Sequence, residues 1–218
     1  MSRSAVILCD GDFPRKSYPL YLLEKADIIV VCDGAIRAFR RHFGDRRQPD
    51  AIIGDLDSIP VSLKERYSER IVHVSEQETN DQTKALGYIL DHFSDIEDIT
   101  ILGATGKRED HTIGNLSLLM EYARTRGIDA LTEPSVKIVS DYSEAFAVKD
   151  SCTLYVGEGR RVSVCCPDNS LTIHSEGLEW PLDDVVWDNW WKATLNRATA
   201  DAITLTLSHP SPVLLILS

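Results

Sequence analysis

The sequence predicts an α/β protein in two parts, an N-terminal domain built on a parallel sheet and a C-terminal antiparallel β-sandwich. In the first two thirds of the chain, apolar runs alternate with helical patterns, which is typical of strands joined by crossover helices. One of these runs, residues 27–32, is apolar almost throughout and suits a strand buried on both faces. From about Val136 onward, short β-like runs are separated by Gly, Pro, Asn and Asp, which favours antiparallel strands.

The N-terminal elements follow from these patterns in order. Strands are predicted at residues 4–9, 27–32, 50–53, 70–74 and 98–103. Helices are predicted at residues 18–25, 34–44, 79–93 and 110–127, with a further helix after Pro60. Gly44 and Gly127 are natural stops for two of the helices. Thr79 and Gln82 fit a capping box at the start of a third. We expect helices on both faces of a Rossmann-like sheet.

The C-terminal elements are shorter. Strand-like runs lie at residues 137–141, 151–157, 160–166, 170–177 and 202–208, with no long helix among them. This pattern predicts a β-sandwich. We therefore place the two domains at residues 1–138 and 139–218.

Composition excludes some classes of partner. The chain has 218 residues and a formal net charge of −11, which makes it a poor general binder of nucleic acid or of anionic membranes. No run approaches the roughly 18 apolar residues of a membrane span, and the first apolar run is too short for a signal peptide. The five cysteines show no C-x-x-C spacing, so we expect neither a disulfide framework nor a zinc site, and a cytoplasmic location.

Carboxylates follow several predicted strands. Asp10, Asp33 and Asp55 each come directly after a strand, as does Gly103, and ligands of parallel sheets bind at that edge. In the stretch IIGDLDSI, Asp55 and Asp57 can share a hard cation such as Mg²⁺. The alternative for this pair is a polar turn, and the alternative for Asp33 is a helix N-cap.

Two further stretches carry charge at helix starts. Asp81 and Lys84 fall in the first turn of a helix, where a lysine opposes the helix dipole unless an anion lies nearby. The loop LGATGKREDHTIGN can bind phosphate through backbone N–H groups and through Lys107 and Arg108, although Asp110 and His111 also have structural interpretations. The spacing is not that of a Walker motif.

All four tryptophans lie in GLEWPLDDVVWDNWW, residues 177–191. Core packing or a dimer interface accounts for such a cluster. A tryptophan face can also stack on a flat cationic heteroaromatic ligand.

Four motifs in order resemble the thiamine pyrophosphokinase (thiamine diphosphokinase) family. They are Asp33-Gly34-Ala35, GDLDS at 54–58, QETNDQTKA at 77–85 and GATGKREDHTIGN at 103–115, and GLEWPL at 177–182 resembles a further family stretch. Three positions depart from the family pattern. Asn80 replaces a threonine, Lys107 replaces the second glycine of Gly-Gly-Arg, and Leu195-Asn196 replaces Ser-Asn.

The resemblance implies transfer of the pyrophosphoryl group of ATP to the hydroxyethyl oxygen of thiamine, giving thiamine diphosphate and AMP. It also implies Mg²⁺ and a homodimer with thiamine in a cleft between subunits. On this basis we expect the catalytic residues to be Asp33, Asp55, Asp57, Asp81 and Arg108, with Asp55, Asp57 and Asp81 as Mg²⁺ ligands. We expect ATP contacts from Gln77, Lys84, Thr105, Lys107, Arg108, Asp110 and His111, and thiamine contacts from Asp33, Trp180, Thr194 and Asn196.

Two other functions fit parts of the sequence. IIGDLDSI also resembles the Asp-x-Asp motif of haloacid-dehalogenase-type phosphatases, in which Asp55 would be the nucleophile. That family carries the motif on its first strand, whereas two predicted strands precede it here. A nucleotide-sensing module without turnover is the non-enzymatic alternative.

Overall fold

The computed structural model describes residues 3–218. The chain forms two compact units, the first comprising the residues up to Asn115 with 138–141, and the second comprising 116–137 and 142–218. The division between the units falls within helix α5, which spans Glu109–Thr125. The domain boundary at residues 138 and 139 stays a prediction.

The first unit holds five parallel strands in the order β5-β1-β2-β3-β4. They are β1 (Arg3–Leu8), β2 (Ile28–Cys32), β3 (Ala51–Gly54), β4 (Ile71–His73) and β5 (Ile96–Leu102). Leu8 pairs with both Val31 and Leu102, so β1, β2 and β5 end at the same level. The predicted parallel sheet is confirmed.

The helices of this part are short. They are α1 (Ser17–Lys25), α2 (Ile36–Phe43), α3 (Val61–Arg66), α4 (Asp81–His92) and α5, with 3₁₀ turns at Asp33–Ala35 and Ser68–Arg70. Every residue of β2 is buried, as its continuous apolar run requires. Ile36 and Phe39 of α2 pack into the same core as Val31, which fixes the start of α2 beside the end of β2. Between residues 3 and 218, no helix is long and apolar enough to cross a membrane.

The remaining strands form a β-rich part in which antiparallel pairs dominate, as predicted. They are β6 (Ser135–Val139), β7 (Glu144–Val148), β8 (Cys152–Tyr155), β9 (Arg161–Cys165), β10 (Ile173–Glu176), β11 (Ala193–Arg197), β12 (Ala202–Leu207) and β13 (Val213–Leu217). In the second unit, β11-β9-β13-β7 form one antiparallel set and β10-β12-β8 another. Val164 and Leu215 from one set share a core with Ile203 and Leu205 from the other, as in a sandwich.

Two expectations need correction. The patterns did not predict β7, β11 or β13, although the structure contains all three. The capping box of Thr79 and Gln82 is wrong, because the N-cap of α4 is Asn80, whose side chain accepts a hydrogen bond from the Thr83 N–H at 3.0 Å. The Thr79 hydroxyl donates to Glu76 instead, and Gln82 is buried.

Candidate active site

One cavity of about 450 Å³ lies where the strands of the first unit end. The loops after β1, β2, β3 and β5 all contribute to its lining, together with the first turns of α4 and α5. The prediction that these four loops meet at one edge is therefore confirmed. The lining includes the predicted site residues Asp33, Asp55, Gln77, Asp81, Lys84, Lys107, Arg108 and His111.

Other predicted residues lie elsewhere. Asp57, Thr105 and Asp110 do not line the cavity. The Asp57 N–H donates to the Asp55 carboxylate at 3.1 Å in a local turn, and the Asp57 side chain is exposed. Asp110 pairs with Arg108 at 2.5 Å on the exposed side of the loop. The roles predicted for these residues stay predictions.

The cavity also has lining residues to which the sequence assigned no catalytic or binding role. They are Cys9, Asp10, Cys32, Asn80, Gln82 and Asn115, among others. The position of Asp10 directly after a strand indicated that it lies at this edge of the sheet. The buried Gln82 carried no such signal, because its side-chain partner comes from a distant helix: its amide donates to the Asn115 carbonyl at 3.3 Å.

Asp33 is held in place by close packing against a glycine. The carboxylate of Asp33 lies over Gly54, where a Cβ would come within 2.8 Å of Asp33 Cγ. Asp10 lies over Gly34 in the same way, since a Cβ there would be 2.7 Å from Asp10 Oδ2. Asp10 and Asp33 therefore each rest on a glycine at the end of the neighbouring strand or just after it.

The three central carboxylates have different proton affinities. Burial raises the pKa of Asp33, and the nearby Asp55 carboxylate raises it further, against a backbone hydrogen bond from Gly34. Burial also raises the pKa of Asp81 to about 6, with repulsion from Asp33 adding to the rise and Lys84 opposing it. The backbone hydrogen bond from Asp57 is the largest cause that lowers the pKa of Asp55. The site therefore concentrates negative charge that a cation would stabilise.

A magnesium ion fits this donor set. Asp33 Oδ2 is buried and has no hydrogen-bond partner among residues 3–218, and Asp55 and Asp81 line the same cavity. In that part of the chain, no three His, Cys, Asp or Glu side chains are arranged to hold a metal ion by themselves. Mg²⁺ is commonly held by one or two carboxylates with water and substrate phosphates, so the site suits an ion that the substrate helps to bind.

Cationic side chains border the acidic group. Lys84 Nζ lies 3.8 Å from Asp81 and 3.9 Å from Glu76, and its side chain is only 5% exposed. Lys107 Nζ lies 2.9 Å from Asp10, and Arg108 lies in the same loop. These three cations face a cavity with an excess of carboxylates, which suits a polyanion bound through metal.

A hydrogen-bond network joins the starts of α4 and α5. The Asn80 amide donates to Asn115 Oδ1 at 2.8 Å, and Asn115 Nδ2 donates to the Ala104 carbonyl at 2.8 Å. Because Asn80 immediately precedes Asp81, this network fixes the first turn that carries Asp81.

The predicted thiamine contacts outside this cavity lie in the second unit. Trp180 is half-exposed, and its backbone N–H donates to Asn196 Oδ1 at 3.1 Å while Asn196 Nδ2 donates back to the Trp180 backbone carbonyl at 2.6 Å. Asn196 is buried, and Thr194 is exposed. Asn196 therefore fixes the backbone at Trp180, and the predicted contacts of all three residues with thiamine stay predictions.

Comparison with known proteins gives a consistent result. The family model described as "Thiamin pyrophosphokinase, catalytic domain" matches residues 20–130, and the one described as "Thiamin pyrophosphokinase, substrate-binding domain" matches residues 145–210. A relative named thiamine pyrophosphokinase 1, from Oryza sativa subsp. japonica, is 36% identical over 151 residues, covering 64% of this chain and 54% of the relative. Thiamine pyrophosphokinase 2 from Arabidopsis thaliana is 32% identical, covering 57% and 54%. The chain thus spans about half the length of these curated relatives.

Solved structures share the fold. Yeast thiamin pyrophosphokinase superposes with a TM-score of 0.78 at 17% identity, covering 99% of this chain and 86% of that one. Thiamine pyrophosphokinase from Bacillus subtilis gives a TM-score of 0.76 at 18% identity, covering 99% of both chains. At these identities the likeness concerns the fold.

Proposed function

Because this chain belongs to the thiamin pyrophosphokinase family, we propose that it transfers the pyrophosphoryl group of ATP to the hydroxyethyl oxygen of thiamine, giving thiamine diphosphate and AMP. The observation that carries the proposal is the cavity at the end of the parallel sheet. There Asp33, Asp55 and Asp81 lie among the cations Lys84, Lys107 and Arg108, inside the segment that matches the catalytic family model.

The residues of the cavity have different roles in phosphoryl transfer. Asp55 and Asp81 would hold Mg²⁺, with Asp57 as a further predicted ligand. When bound, Mg²⁺ neutralises phosphate charge and aligns the polyphosphate. Lys84, with its almost fully buried side chain, offers a fixed positive charge to the phosphates.

Asp33 is suited to receive a proton. Asp33 lines the cavity, and burial raises the pKa of its carboxyl group. A carboxylate with a raised pKa is a stronger proton acceptor than an ordinary one. We propose that Asp33 accepts the proton of the thiamine hydroxyl. The hydroxyl oxygen bonds to the β-phosphorus of ATP at the same time, and AMP leaves. The rest of catalysis is alignment and electrostatic stabilisation.

We also propose a homodimer in which the second unit contributes the thiamine contacts Trp180, Thr194 and Asn196. Support comes from the exposed apolar side chains Trp180, Val186, Trp190, Trp191 and Leu195 in that unit. A cytoplasmic location is proposed as well, and five free cysteine thiols are in keeping with a reducing compartment.

The test is a product assay with ATP, Mg²⁺ and thiamine that resolves AMP from ADP. The proposal expects AMP and thiamine diphosphate in equal amounts, only when thiamine is present, and none after chelation of Mg²⁺. ADP with thiamine monophosphate would instead indicate a monophosphate kinase. Inorganic phosphate released regardless of thiamine would indicate the phosphatase alternative, and binding without turnover would indicate the sensing module. Neither alternative gains support from the family match.

A further inference from the structure

One rim of the cavity carries an ion pair whose carboxylate, Asp10, has no part in the mechanism above. Asp10, after β1, and Lys107, after β5, are 97 positions apart in sequence, yet Lys107 Nζ donates to Asp10 Oδ1 at 2.9 Å. Both residues line the cavity, and both side chains are about half-exposed, at 52% and 53%. The ammonium and the carboxylate are therefore both accessible to a ligand in the cavity.

The two loops that carry this pair are fixed against each other. The Gly11 N–H donates to the Gly103 carbonyl at 2.6 Å, and the Asp12 N–H donates to the Thr105 carbonyl at 2.8 Å. A Cβ on Gly11 would lie 2.3 Å from that Gly103 oxygen, so only glycine permits the approach. These bonds prolong the pairing of β1 and β5 beyond the strands, and they hold Asp10 beside Lys107.

The backbone of Lys107 is unusual for a lysine. Its φ is +60°, in the left-handed region that favours glycine. Glycine would adopt this backbone conformation without strain, whereas lysine adopts it at a cost in free energy. Strain of this kind concentrates at functional sites.

We propose that Asp10 is a positioning residue that holds the Lys107 ammonium over the cavity, where it binds the polyphosphate of the nucleotide. The inference rests on the proposed function and adds a residue to its site. A lysine side chain is long and flexible, and anchoring it beforehand reduces the entropy lost when it binds a ligand. An ammonium has three N–H donors, so Lys107 can keep Asp10 and bind a phosphate oxygen at the same time.

The test is equilibrium titration of D10N, K107G and the double variant with Mg·ATP and with inorganic tripolyphosphate, in the absence of thiamine. K107G suits the left-handed backbone and should fold normally. It should weaken both ligands about tenfold, as expected for a lost charge-assisted hydrogen bond. D10N should weaken the binding of both ligands about three- to fivefold, because the Lys107 side chain is then no longer held by the ion pair. The double variant should match K107G, because Asp10 acts only through Lys107.

Three controls separate positioning from a general structural effect. Adenosine, which lacks phosphates, should compete for the site equally well in all variants. D10E should recover most of the affinity. E121Q removes a carboxylate from the exposed Arg124 pair outside the cavity and should bind ATP as the wild type does.

Three results would overturn the inference: additive losses in the double variant, ATP binding in D10N as tight as in the wild type or tighter, and weaker adenosine binding in step with ATP binding. A parallel loss for adenosine would reduce the pair to a structural contact. The titrations involve no turnover, so the proposed function is judged separately. Absence of thiamine-dependent AMP, with the predicted coupling intact, would refute the reaction and leave the polyphosphate contact standing.

Discussion

At the scale of single residues, the environment of each carboxylate determines its chemistry. Burial raises the pKa of both Asp33 and Asp81, whereas the Asp57 N–H is the main cause that lowers the pKa of Asp55. Carboxylates whose pKa values are pushed apart can take different roles in one site. The ionised Asp55 suits a metal ion, and the buried Asp33 suits proton transfer.

The metal role of Asp55 predicts the behaviour of D55N. Turnover should fall by about 100-fold or more, because a charged ligand is lost from the place where phosphate charge is stabilised. Thermal unfolding should stay close to that of the wild type, since the change keeps the shape of the side chain. Steady-state AMP formation and a melting curve check the two parts, and D91N provides a matched exposed control.

Near-normal turnover in D55N would refute the metal assignment. D57N, measured beside it, tests the remaining ligand prediction. A loss as large as that of D55N would support Asp57 as a ligand. Turnover close to that of the wild type would restrict the metal site to the carboxylates that line the cavity.

Residue types at strand ends were enough to predict the centre of this site. Asp33 and Asp55 meet because parallel strands end at one level, which follows from the apolar runs that precede them, and the first turn of α4 adds Asp81 and Lys84. The outward direction of Asp57 could not be predicted, because it depends on a turn in which its own N–H bonds to Asp55. The contribution of Asp10 depends on a partner 97 positions away.

At the scale of elements, the start of α4 shows how one residue can do two tasks. Asn80 Oδ1 caps the helix at the Thr83 N–H, and its amide bonds to Asn115 of α5. N80A should lower the free energy of unfolding by about 1–2 kcal/mol through loss of the cap and of the Asn115 contact. N80T, which retains a capping hydroxyl, should lose less.

Urea unfolding curves of the two variants provide the measurement. Asn169 is an exposed loop residue, so N169A serves as a control for removal of an asparagine side chain. An N80A protein as stable as the wild type would contradict the dual role.

A second element-scale feature lies in the second unit, where Asp168 joins two loops. Its carboxylate accepts hydrogen bonds from the Ser170 hydroxyl at 2.7 Å, the Ser211 hydroxyl at 2.9 Å and His209 Nε2 at 3.0 Å. These contacts, the Ser170 hydroxyl first, hold the pKa of Asp168 well below its usual range. The folded state therefore favours the ionised form.

The lowered pKa gives a pH dependence with a definite sign. Asp168 stabilises the fold above the unfolded pKa of about 4, and this contribution is lost as pH falls through the lowered folded pKa. D168N should cost about 1–3 kcal/mol at pH 7, and the difference from the wild type should shrink at acid pH. Urea unfolding at pH 7 and near pH 3 checks this, with D188N as control. A difference that does not change with pH would show that the charge is irrelevant.

Strands and helices were predictable where the pattern of apolar residues was compatible with only one type of element. Strands β2 and β3 of the parallel sheet are apolar throughout, whereas β11 contains exposed Thr194 and Leu195 beside buried Ala193 and Asn196, so its pattern is irregular. A register shift between Ala193 and Asn196 and the left-handed backbone of Leu195 explain the irregularity. β7 lies between the runs at residues 137–141 and 151–157, where no strand is predicted.

At the scale of the whole molecule, the exposed tryptophans predict self-association. Trp190 and Trp191 are about half-exposed on a chain with a net charge of −11, and such apolar side chains are common at protein interfaces. Sedimentation equilibrium should give a mass close to twice 24.4 kDa. The double variant W190K/W191K should shift the protein towards the monomer, whereas Y155K, at another exposed aromatic residue, should not. A wild-type monomer at micromolar concentration would refute the dimer.

The packing of Asp33 against Gly54 predicts how substitutions at position 54 behave when variants are selected for function. Alanine at position 54 would place its methyl group 2.8 Å from Asp33 Cγ, and the buried Asp33 has little room to move away. In a deep mutational scan scored by growth, variants of Gly54 should be depleted as strongly as variants of Asp33. A glycine without any reactive group would thus have the fitness profile of a catalytic residue, and an Asp33 variant could not act as its intragenic suppressor.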